Sequence, residues 1–147
     1  MLTFTKATIK DLPQILTIEQ VSFSSPWSEA SLAATLCDPL TLTLVGRFPG
    51  RTEVGAYSCC KIFAPEAELL KVAVSPQLRR RGMAWTLLRE SLQGLRQAMV
   101  TTVHLEVSEK NLKAIALYEK MGFILSGRRP GYYDNNTNAA LLLQINL

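Results

Sequence analysis

The sequence has very little of what metal sites and covalent cross-links require. Its 147 residues include a single histidine, His104, and three cysteines, Cys37, Cys59 and Cys60. One histidine excludes a two-histidine metal site and a histidine relay, and the cysteines show no metal-binding spacing. Adjacent residues of a strand point to opposite faces, which disfavours a disulfide between Cys59 and Cys60. We therefore predict reduced, buried thiols and no bound metal.

The sequence also lacks a long apolar run and a signal-like start. No run approaches the ~20 apolar residues that cross a bilayer, and the first six residues lack the charged-then-apolar layout of a secretion signal. We expect a cytoplasmic protein without membrane contact. The net charge of +4 suits a phosphate-bearing or acidic partner. This charge is partly concentrated in Arg79–Arg81 and forms no long stripe, and the charge alone does not identify the partner. We do not expect nucleic acid as a partner.

Hydrophobic periodicity predicts a single α/β (α+β) domain over residues 1–147. The predicted strands cover residues 2–7, 40–48, 53–63, 66–75, 101–107, 123–129 and 138–147. The first predicted helix follows Asp11 and is broken by residues 24–28, and the others cover residues 29–37, about 81–99 and 111–121. Asp11 and Ser28 are the expected caps of the first two helices. This order indicates a central, mixed, twisted sheet of about seven strands flanked by about four helices. The second and third strands should form a hairpin, and the strands around the third helix should be parallel neighbours.

A short basic turn joins the fourth predicted strand to the third helix. In this turn Arg79, Arg80 and Arg81 precede Gly82 and Ala84. A glycine turn at a helix N-terminus exposes unpaired N–H groups and the positive end of the helix dipole, an arrangement that holds a pyrophosphate. The alternative is a solvated basic turn that opens an amphipathic helix. The turn lacks the Lys-Ser/Thr ending of an ATP-binding loop and the three glycines of a dinucleotide fold.

In context, the turn resembles the acyl-CoA loop of the GNAT family of N-acetyltransferases. Arg79, Gly82 and Ala84 match the family pattern Arg/Gln-x-x-Gly-x-Gly/Ala, which here follows a Val-x-Val-x-Pro strand end as in the family. The resemblance implies that the loop amides hold the CoA pyrophosphate. It also implies that the backbone of residues 72–74 pairs with the pantetheine arm and the acetyl carbonyl.

A second motif lies on the helix predicted over residues 111–121. Asn111 and Tyr118 are about two helical turns apart, so both face the same side. They could instead be an N-cap and a half-buried aromatic, with Gly122 as a left-handed C-cap. The segment Asn-x-x-Ala-Ile-x-Leu-Tyr-x-x-x-Gly-Phe resembles the second GNAT signature at every one of those positions. The resemblance implies that Asn111 contacts the CoA arm and that Tyr118 donates a proton to the departing thiolate.

Two independent signatures at the expected separation imply a GNAT-like fold and acetyl-CoA as the cofactor. The cofactor-binding residues that the resemblance implies are Val72, Ala73, Val74, Arg79, Arg80, Arg81, Gly82, Met83, Ala84, Trp85 and Asn111.

Glu106 is the candidate base for acetyl transfer. An ammonium has no lone pair for attack, so a base must remove a proton from the acceptor amine. Glu106 lies near the carboxyl end of a predicted strand, where ligands collect in α/β sheets. The alternative is a solvated or salt-bridged carboxylate.

Further segments resemble the bacterial GNAT subfamily that acetylates the N-terminal alanine of a small-subunit ribosomal protein. They are Ile18-Glu19, Phe23, Pro26–Ser28, Leu105–Val107, Arg128-Arg129 and Tyr132-Tyr133. The resemblance implies a ribosomal-protein N-terminal peptide as the acceptor, Glu106 as the proton acceptor and Tyr118 as the proton donor. It does not fix the oligomeric state.

Glu19, Trp27 and Tyr132 are the candidate acceptor-binding residues. Glu19 could bind a basic peptide, while Trp27 and Tyr132 could wall a groove for its first residues. Alternatively, Trp27 anchors a loop on the core and the tyrosines pack under it. Thr137 and Asn138 stand where acidic residues are usual in the subfamily, and Lys71 stands where a neutral residue is usual. These departures affect the prediction of the acceptor substrate and do not affect the prediction of CoA binding.

Other functions remain open at this point. The same CoA site could serve a small amine or a protein lysine, and a CoA-sensing module could have lost catalysis. Retention of Glu106 and Tyr118 counts against the sensing module. Nucleic-acid binding through Arg79–Arg81 would lack the stacking aromatics that single strands use. Because Cys59 and Cys60 lie on an earlier strand without a histidine base, direct attack in a ternary complex is favoured over a covalent intermediate.

Overall fold

The computed structural model describes residues 2–133 and 138–147, in which seven strands and four α-helices follow one another in the predicted order. The strands are β1 (Thr3–Lys6), β2 (Thr41–Arg47), β3 (Val54–Phe63), β4 (Glu66–Val74), β5 (Thr102–Ser108), β6 (Ile124–Tyr133) and β7 (Asn138–Asn146). The helices are α1 (Leu12–Ser22), α2 (Glu29–Cys37), α3 (Met83–Gln97) and α4 (Leu112–Met121). Short 3-10 turns over Ile9–Asp11 and Pro76–Leu78 lead into α1 and into the loop before α3.

The seven strands form one mixed sheet in the order β1-β2-β3-β4-β5-β7-β6. β2 and β3 are an antiparallel hairpin, and β4 and β5 are parallel neighbours joined by α3, so both predictions are confirmed. The parallel pairing joins Glu66–Glu68 to Thr102–His104. Beyond these residues β4 and β5 have no register pairs, although both strands are fully described. The two strands therefore diverge towards their carboxyl ends.

α3 and α1 each bury an apolar stripe against the sheet. α3 packs on β2, β3 and β4 through Leu87, Leu88, Leu92 and Leu95, which recur at helical spacing and are almost fully buried. α1 packs on β3 and β4 from a second cluster that contains Ile15, Leu32 and Tyr57. Burial of each leucine contributes ~1.5–3 kcal/mol.

Local capping explains where two helices begin and end. Ser28 accepts a hydrogen bond from the Ser31 N–H at 3.1 Å and caps α2, as predicted. Gly122, at φ 113°, ends α4 in the left-handed region, also as predicted. Asp11 stands at the N-cap of α1, but its side chain does not cap that helix. Its carboxylate accepts from the Thr8 N–H at 2.8 Å and pairs with Arg47 of β2.

Three further predictions need correction. β6 was predicted to end at Arg129 and instead continues through Pro130 and Gly131 to Tyr133. A proline is tolerated there because β6 is an edge strand, and its register breaks between Arg129 and Tyr133. α3 begins at Met83 and not near 81, because the left-handed Gly82 precedes it. Cys37 is exposed, whereas Cys59 and Cys60 are buried as expected, and all three thiols are free.

Two kinds of feature are absent from residues 2–133 and 138–147. No helix in these ranges is long and apolar enough to span a bilayer. The same ranges contain no group of three or more His, Cys, Asp or Glu side chains arranged to hold a metal ion.

Candidate active site

A cavity of about 740 Å³ lies beside the carboxyl half of β4, in the part of the strand that does not pair with β5. It is lined by the carboxyl half of β4, the loop before α3, the first turn of α3 and one face of α4. The lining residues are Ser22, Phe23, Val72, Ala73, Val74, Pro76, Leu78, Arg79, Arg80, Gly82, Met83, Ala84, Trp85, Asn111, Lys113, Ala114, Leu117 and Tyr118. The structure thus brings together all the sequence-predicted cofactor residues except Arg81.

A bulge in β4 sets which side chains face this cavity. Cys59 pairs with Lys71 and Cys60 pairs with Leu69, so Leu70 is an extra residue in β4. Beyond the bulge, the Val72 side chain packs against the core on the α3 side of the sheet. Lys71 is turned to the α1 side, where it meets Glu19. The strand therefore presents different chemistry on its two faces directly beside the gap.

The N-terminus of α3 is built to receive an anion. Gly82, at φ 75°, is the N-cap, and no side chain among the described residues caps the helix there. The first N–H groups of the helix and the positive end of its dipole therefore point towards the cavity. A Cβ added at Gly82 would meet no described atom within 4 Å, so the loop leaves open space beside its backbone. This donor set and this space fit a pyrophosphate.

The three arginines of the loop differ in position. Arg79 donates from Nε to the Val74 carbonyl at 2.9 Å and from Nη2 to the Ser22 hydroxyl at 3.1 Å, so it ties the loop to β4 and α1. Arg80 lines the cavity and adopts a left-handed φ of 64°. Arg81 is exposed and does not line the cavity, so its predicted contact with CoA stays a prediction.

Gly82→Val is expected to weaken acetyl-CoA binding by roughly tenfold or more, because a β-branched residue at positive φ costs ~1–3 kcal/mol and its methyl groups fill the open space. Isothermal titration with CoA measures the effect. Gly50→Val is the matched control, since Gly50 has the same φ of 75° and equally open surroundings in the turn before β3. Equal CoA affinity in both variants would contradict a pyrophosphate at Gly82.

Asn111 and Tyr118 both line the cavity from α4, as their seven-residue spacing predicted. The Asn111 side-chain oxygen accepts from the Ala114 N–H at 3.2 Å, so Asn111 is also the N-cap of α4. The Tyr118 ring packs edge-on against Phe123, with 5.7 Å between the ring centroids. Burial raises the pKa of the Tyr118 hydroxyl to about 12, so this side chain stays protonated at neutral pH.

The Glu106 side chain lies on the face of β5 that is opposite to Tyr118. Its neighbours Leu105 and Val107 pack into the α3-side core with Tyr118, whereas the Glu106 side chain is half-buried and lines a second cavity of about 360 Å³. Arg129 of β6 forms an ion pair with this carboxylate, with 3.1 Å between Nη1 and Oε1. Because Arg129 is 55% exposed, this ion pair contributes only ~0–1 kcal/mol. The guanidinium can therefore leave the Glu106 carboxylate at little cost.

Glu19, predicted to bind a basic acceptor peptide, has a side chain that is engaged within the protein. The residue is fully buried, and its carboxylate accepts from the Trp27 N–H at 2.8 Å and from the Tyr57 hydroxyl. The same carboxylate forms an ion pair with Lys71 at 2.9 Å. Buried polar groups need such partners, and these three partners of Glu19 come from its own chain.

The other two predicted acceptor residues have different surroundings. Trp27 is half-buried and packs against the core cluster under α1, as the loop-anchor alternative proposed, and Lys71 Nζ lies 4.8 Å from its ring centroid. Tyr132 is 52% exposed, and the Arg129 guanidinium lies 5.6 Å from its ring centroid. Arg129 therefore joins Tyr132 to Glu106. Thr137 and the Tyr133 side chain lie outside the described residues.

Several residues that line the larger cavity were not predicted from the sequence. Ser22, Phe23, Pro76, Leu78, Lys113, Ala114 and Leu117 were not among the predicted cofactor residues. Ala114 could have been found from helical spacing, because it lies between Asn111 and Tyr118 on the same face. Lys113 had no such signal. Ser22 and Phe23 enter the site only because α1 crosses the end of β4.

Comparison with protein-family models matches residues 12–123 to the acetyltransferase (GNAT) family. The match covers most of the chain and includes both motifs that line the cavity. The chain belongs to the GNAT acetyltransferase family. As a GNAT enzyme it is an acetyl-CoA-dependent N-acetyltransferase, and acetyl-CoA is its cofactor, as the two motifs predicted.

Individual GNAT relatives extend the similarity to nearly the whole chain. The ribosomal protein bS18-alanine N-acetyltransferase of Escherichia coli strain K12 is 33% identical over 136 residues, which cover 90% of this chain and 88% of that protein. The enzyme of the same name from Salmonella typhimurium is 35% identical over 126 residues, covering 84% and 81%. The crystal structure of the ribosomal-protein-S18-alanine N-acetyltransferase from Escherichia coli has a TM-score of 0.91 to this structure at 30% identity, covering 99% and 94%. The predicted GNAT-like fold and subfamily resemblance are thereby confirmed.

Proposed function

We propose that this GNAT enzyme is a cytoplasmic protein N-terminal acetyltransferase that modifies the N-terminal alanine of a ribosomal protein of the bS18 type. The observation that carries the proposal is the 33% identity to the Escherichia coli bS18-alanine N-acetyltransferase over 90% of the chain. A match of that length extends beyond the CoA motifs and takes in most of the acceptor side.

The cofactor half of the site has the residues that acetyl-CoA requires. The amides of the first turn of α3 suit its pyrophosphate, and Arg80 and Lys113 add positive charge at the same cavity. The open edge of β4 at residues 72–74 suits an extended pantetheine arm, since β5 has diverged and does not pair with this edge. When bound, acetyl-CoA supplies an acetyl thioester at the gap between the two strands.

Glu106 is the proposed proton acceptor for the acceptor amine. Its carboxylate faces the side of the sheet opposite to Tyr118, so the acceptor peptide reaches the gap from the α1 side. The ammonium of the peptide displaces Arg129 and gives a proton to the Glu106 carboxylate, directly or through water. The free amine is then placed beside the thioester.

Tyr118 is the proposed proton donor on the opposite face. A phenol with a pKa of about 12 keeps its proton at neutral pH and can give it to a departing thiolate. The buried thiols of Cys59 and Cys60 are unsuited to form a covalent intermediate, because burial raises both pKa values and the single histidine, His104, contacts Glu66 instead. Direct attack within a ternary complex is the mechanism that these residues support.

Tyr118→Phe is expected to lower the turnover number roughly ten- to hundredfold, because the leaving thiolate loses its proton donor. The ring contact with Phe123 is kept, so the fold and the affinity for acetyl-CoA should not change. Steady-state kinetics with a thiol-detecting assay measure the effect. A turnover number equal to that of the wild type would remove Tyr118 from the mechanism.

The acceptor is tested by mass spectrometry after incubation with acetyl-CoA and three candidate acceptors. They are a peptide with the bS18 N-terminus that begins with alanine, the same peptide with a blocked N-terminus and an internal lysine, and spermidine. Acetylation confined to the free N-terminal amine is expected. Transfer to lysine or spermidine alone would contradict the proposed acceptor and favour the second GNAT function, acetylation of a protein lysine or a small amine.

A further inference from the structure

Lys71 is a largely buried cation beside the active-site gap that the proposed chemistry does not use. Its side chain is 12% exposed and forms an ion pair with the fully buried Glu19 at 2.9 Å. Its Nζ also lies 3.9 Å from the ring centroid of Phe23 and 4.8 Å from that of Trp27. Two aromatic faces and one carboxylate therefore surround a single ammonium group.

This cage joins three segments that are distant in sequence. Lys71 is on β4, next to Val72 of the CoA cavity, and Glu19 is on α1. Phe23 and Trp27 belong to the segment between α1 and α2. Glu19 also holds the backbone of this segment, because its carboxylate accepts from the Trp27 N–H. The α1–α2 segment is thus fastened to β4 at the point where the thioester is expected.

We propose that Lys71 is a positioning residue for the acceptor, because it holds Phe23, which lines the cavity, together with Trp27, which packs on the same ammonium. Phe23 lines the cavity beside Val72 and Ala73, so a displaced Phe23 changes the space next to the acetyl group. Lys71 itself does not line that cavity. Its effect therefore passes through the two aromatic side chains and does not involve contact with CoA.

The energetics of the cage explain why an ion pair performs this task. Two buried charges contribute little net stability compared with apolar residues of the same size, but they fix one geometry. Aromatic faces add cation–π attraction, which strengthens when the ammonium is desolvated. Replacement of both charges should therefore keep the fold and loosen Phe23 and Trp27.

The test compares the Michaelis constants of the two substrates in the double variant Lys71→Met/Glu19→Gln. The amide oxygen that replaces the Glu19 carboxylate can still accept from the Trp27 N–H, and neither charge is left unpaired. We expect the acceptor KM to rise roughly tenfold or more, while the acetyl-CoA KM and the melting temperature stay near the wild-type values. Lys61→Met is the matched control, because Lys61 pairs with Asp38 and lines neither cavity.

Two further variants test the charge of Lys71 and one aromatic face of the cage separately. Lys71→Arg retains the charge and should restore the acceptor KM of the wild type. Trp27→Leu removes one face of the cage without disturbing the ion pair, and should raise the acceptor KM alone. A folded double variant with an unchanged acceptor KM would overturn the inference, and so would an unchanged acceptor KM in Trp27→Leu if the double variant does not fold.

The inference rests on the proposed function for its acceptor substrate. An assay of the wild-type enzyme distinguishes a wrong acceptor from a wrong role for Lys71. If the wild type does not acetylate the bS18 peptide, the proposed acceptor is wrong. The comparison of Lys71 variants is then made with whichever amine the wild type does acetylate. A rise in KM for that amine supports the positioning role, and an unchanged KM overturns it.

Discussion

Glu106→Gln is expected to lower the turnover number by roughly 10²- to 10⁴-fold, the usual contribution of a positioned general base. Glutamine keeps the size and the hydrogen-bonding capacity of the side chain but cannot take a proton from the acceptor ammonium. Glu106 does not line the CoA cavity, so the affinity for acetyl-CoA should be that of the wild type. Single-turnover kinetics at neutral pH, with acetyl-CoA prebound, isolate the chemical step.

Glu68→Gln is the matched control for this prediction. Glu68 lines the same second cavity as Glu106, on the neighbouring strand β4, and is half-buried like Glu106. It therefore reports the effect of removing one negative charge from the acceptor side without removal of the base. An equal loss of turnover in both variants would show a charge effect, and full activity of Glu106→Gln would exclude Glu106 as the base.

Glu19→Ala is expected to lower the free energy of unfolding by ~3–5 kcal/mol, because it leaves the Lys71 ammonium buried without its carboxylate. It also removes the acceptor of the Trp27 N–H and of the Tyr57 hydroxyl. Domains are stable by ~5–15 kcal/mol, so a large share of the stability would be lost. Urea titration followed by circular dichroism measures the change.

A second ion pair on the same sheet provides the control. Asp38→Ala removes the partner of Lys61, and the two side chains are 29% and 26% exposed. Water can solvate the lysine that remains, so the stability should change much less than in Glu19→Ala. Equal stability losses, or a Glu19→Ala variant as stable as the wild type, would contradict the structural role of the buried pair.

Features with a local cause were predictable from the sequence. Ser28 has the residue type that caps a helix, and α2 begins directly after it. Gly122 ends α4 in the left-handed conformation that glycine adopts at low cost. The order of elements and the parallel pair around α3 followed from periodicity and from the crossover rule.

Features with a non-local cause were not predictable. The burial of Glu19 depends on Tyr57 and Lys71, which are 38 and 52 residues away in sequence. The sequence therefore favoured a peptide-binding role for this carboxylate. The extension of β6 past Pro130 depends on its position at the edge of the sheet, which no local signal gives.

The candidate site also combines features that were predictable from the sequence with features that were not. The loop around Gly82 and the pair Asn111 and Tyr118 were recognisable, because each motif is contiguous in sequence. The divergence of β4 and β5 was not, since it depends on how two strands separate in space. In the proposed mechanism, that gap lets Glu106 and Tyr118 act from opposite faces of the sheet.

The most direct test of the account is a crystal structure of the enzyme with CoA joined covalently to the N-terminal amine of an alanine-initiated peptide. We expect the pyrophosphate within hydrogen-bonding distance of the amides at Gly82–Trp85, and the linker in the gap between β4 and β5. We also expect the peptide on the Glu106 side of the sheet, with Phe23 in contact with its first residue. A peptide on the Tyr118 side, away from Glu106, would contradict the account.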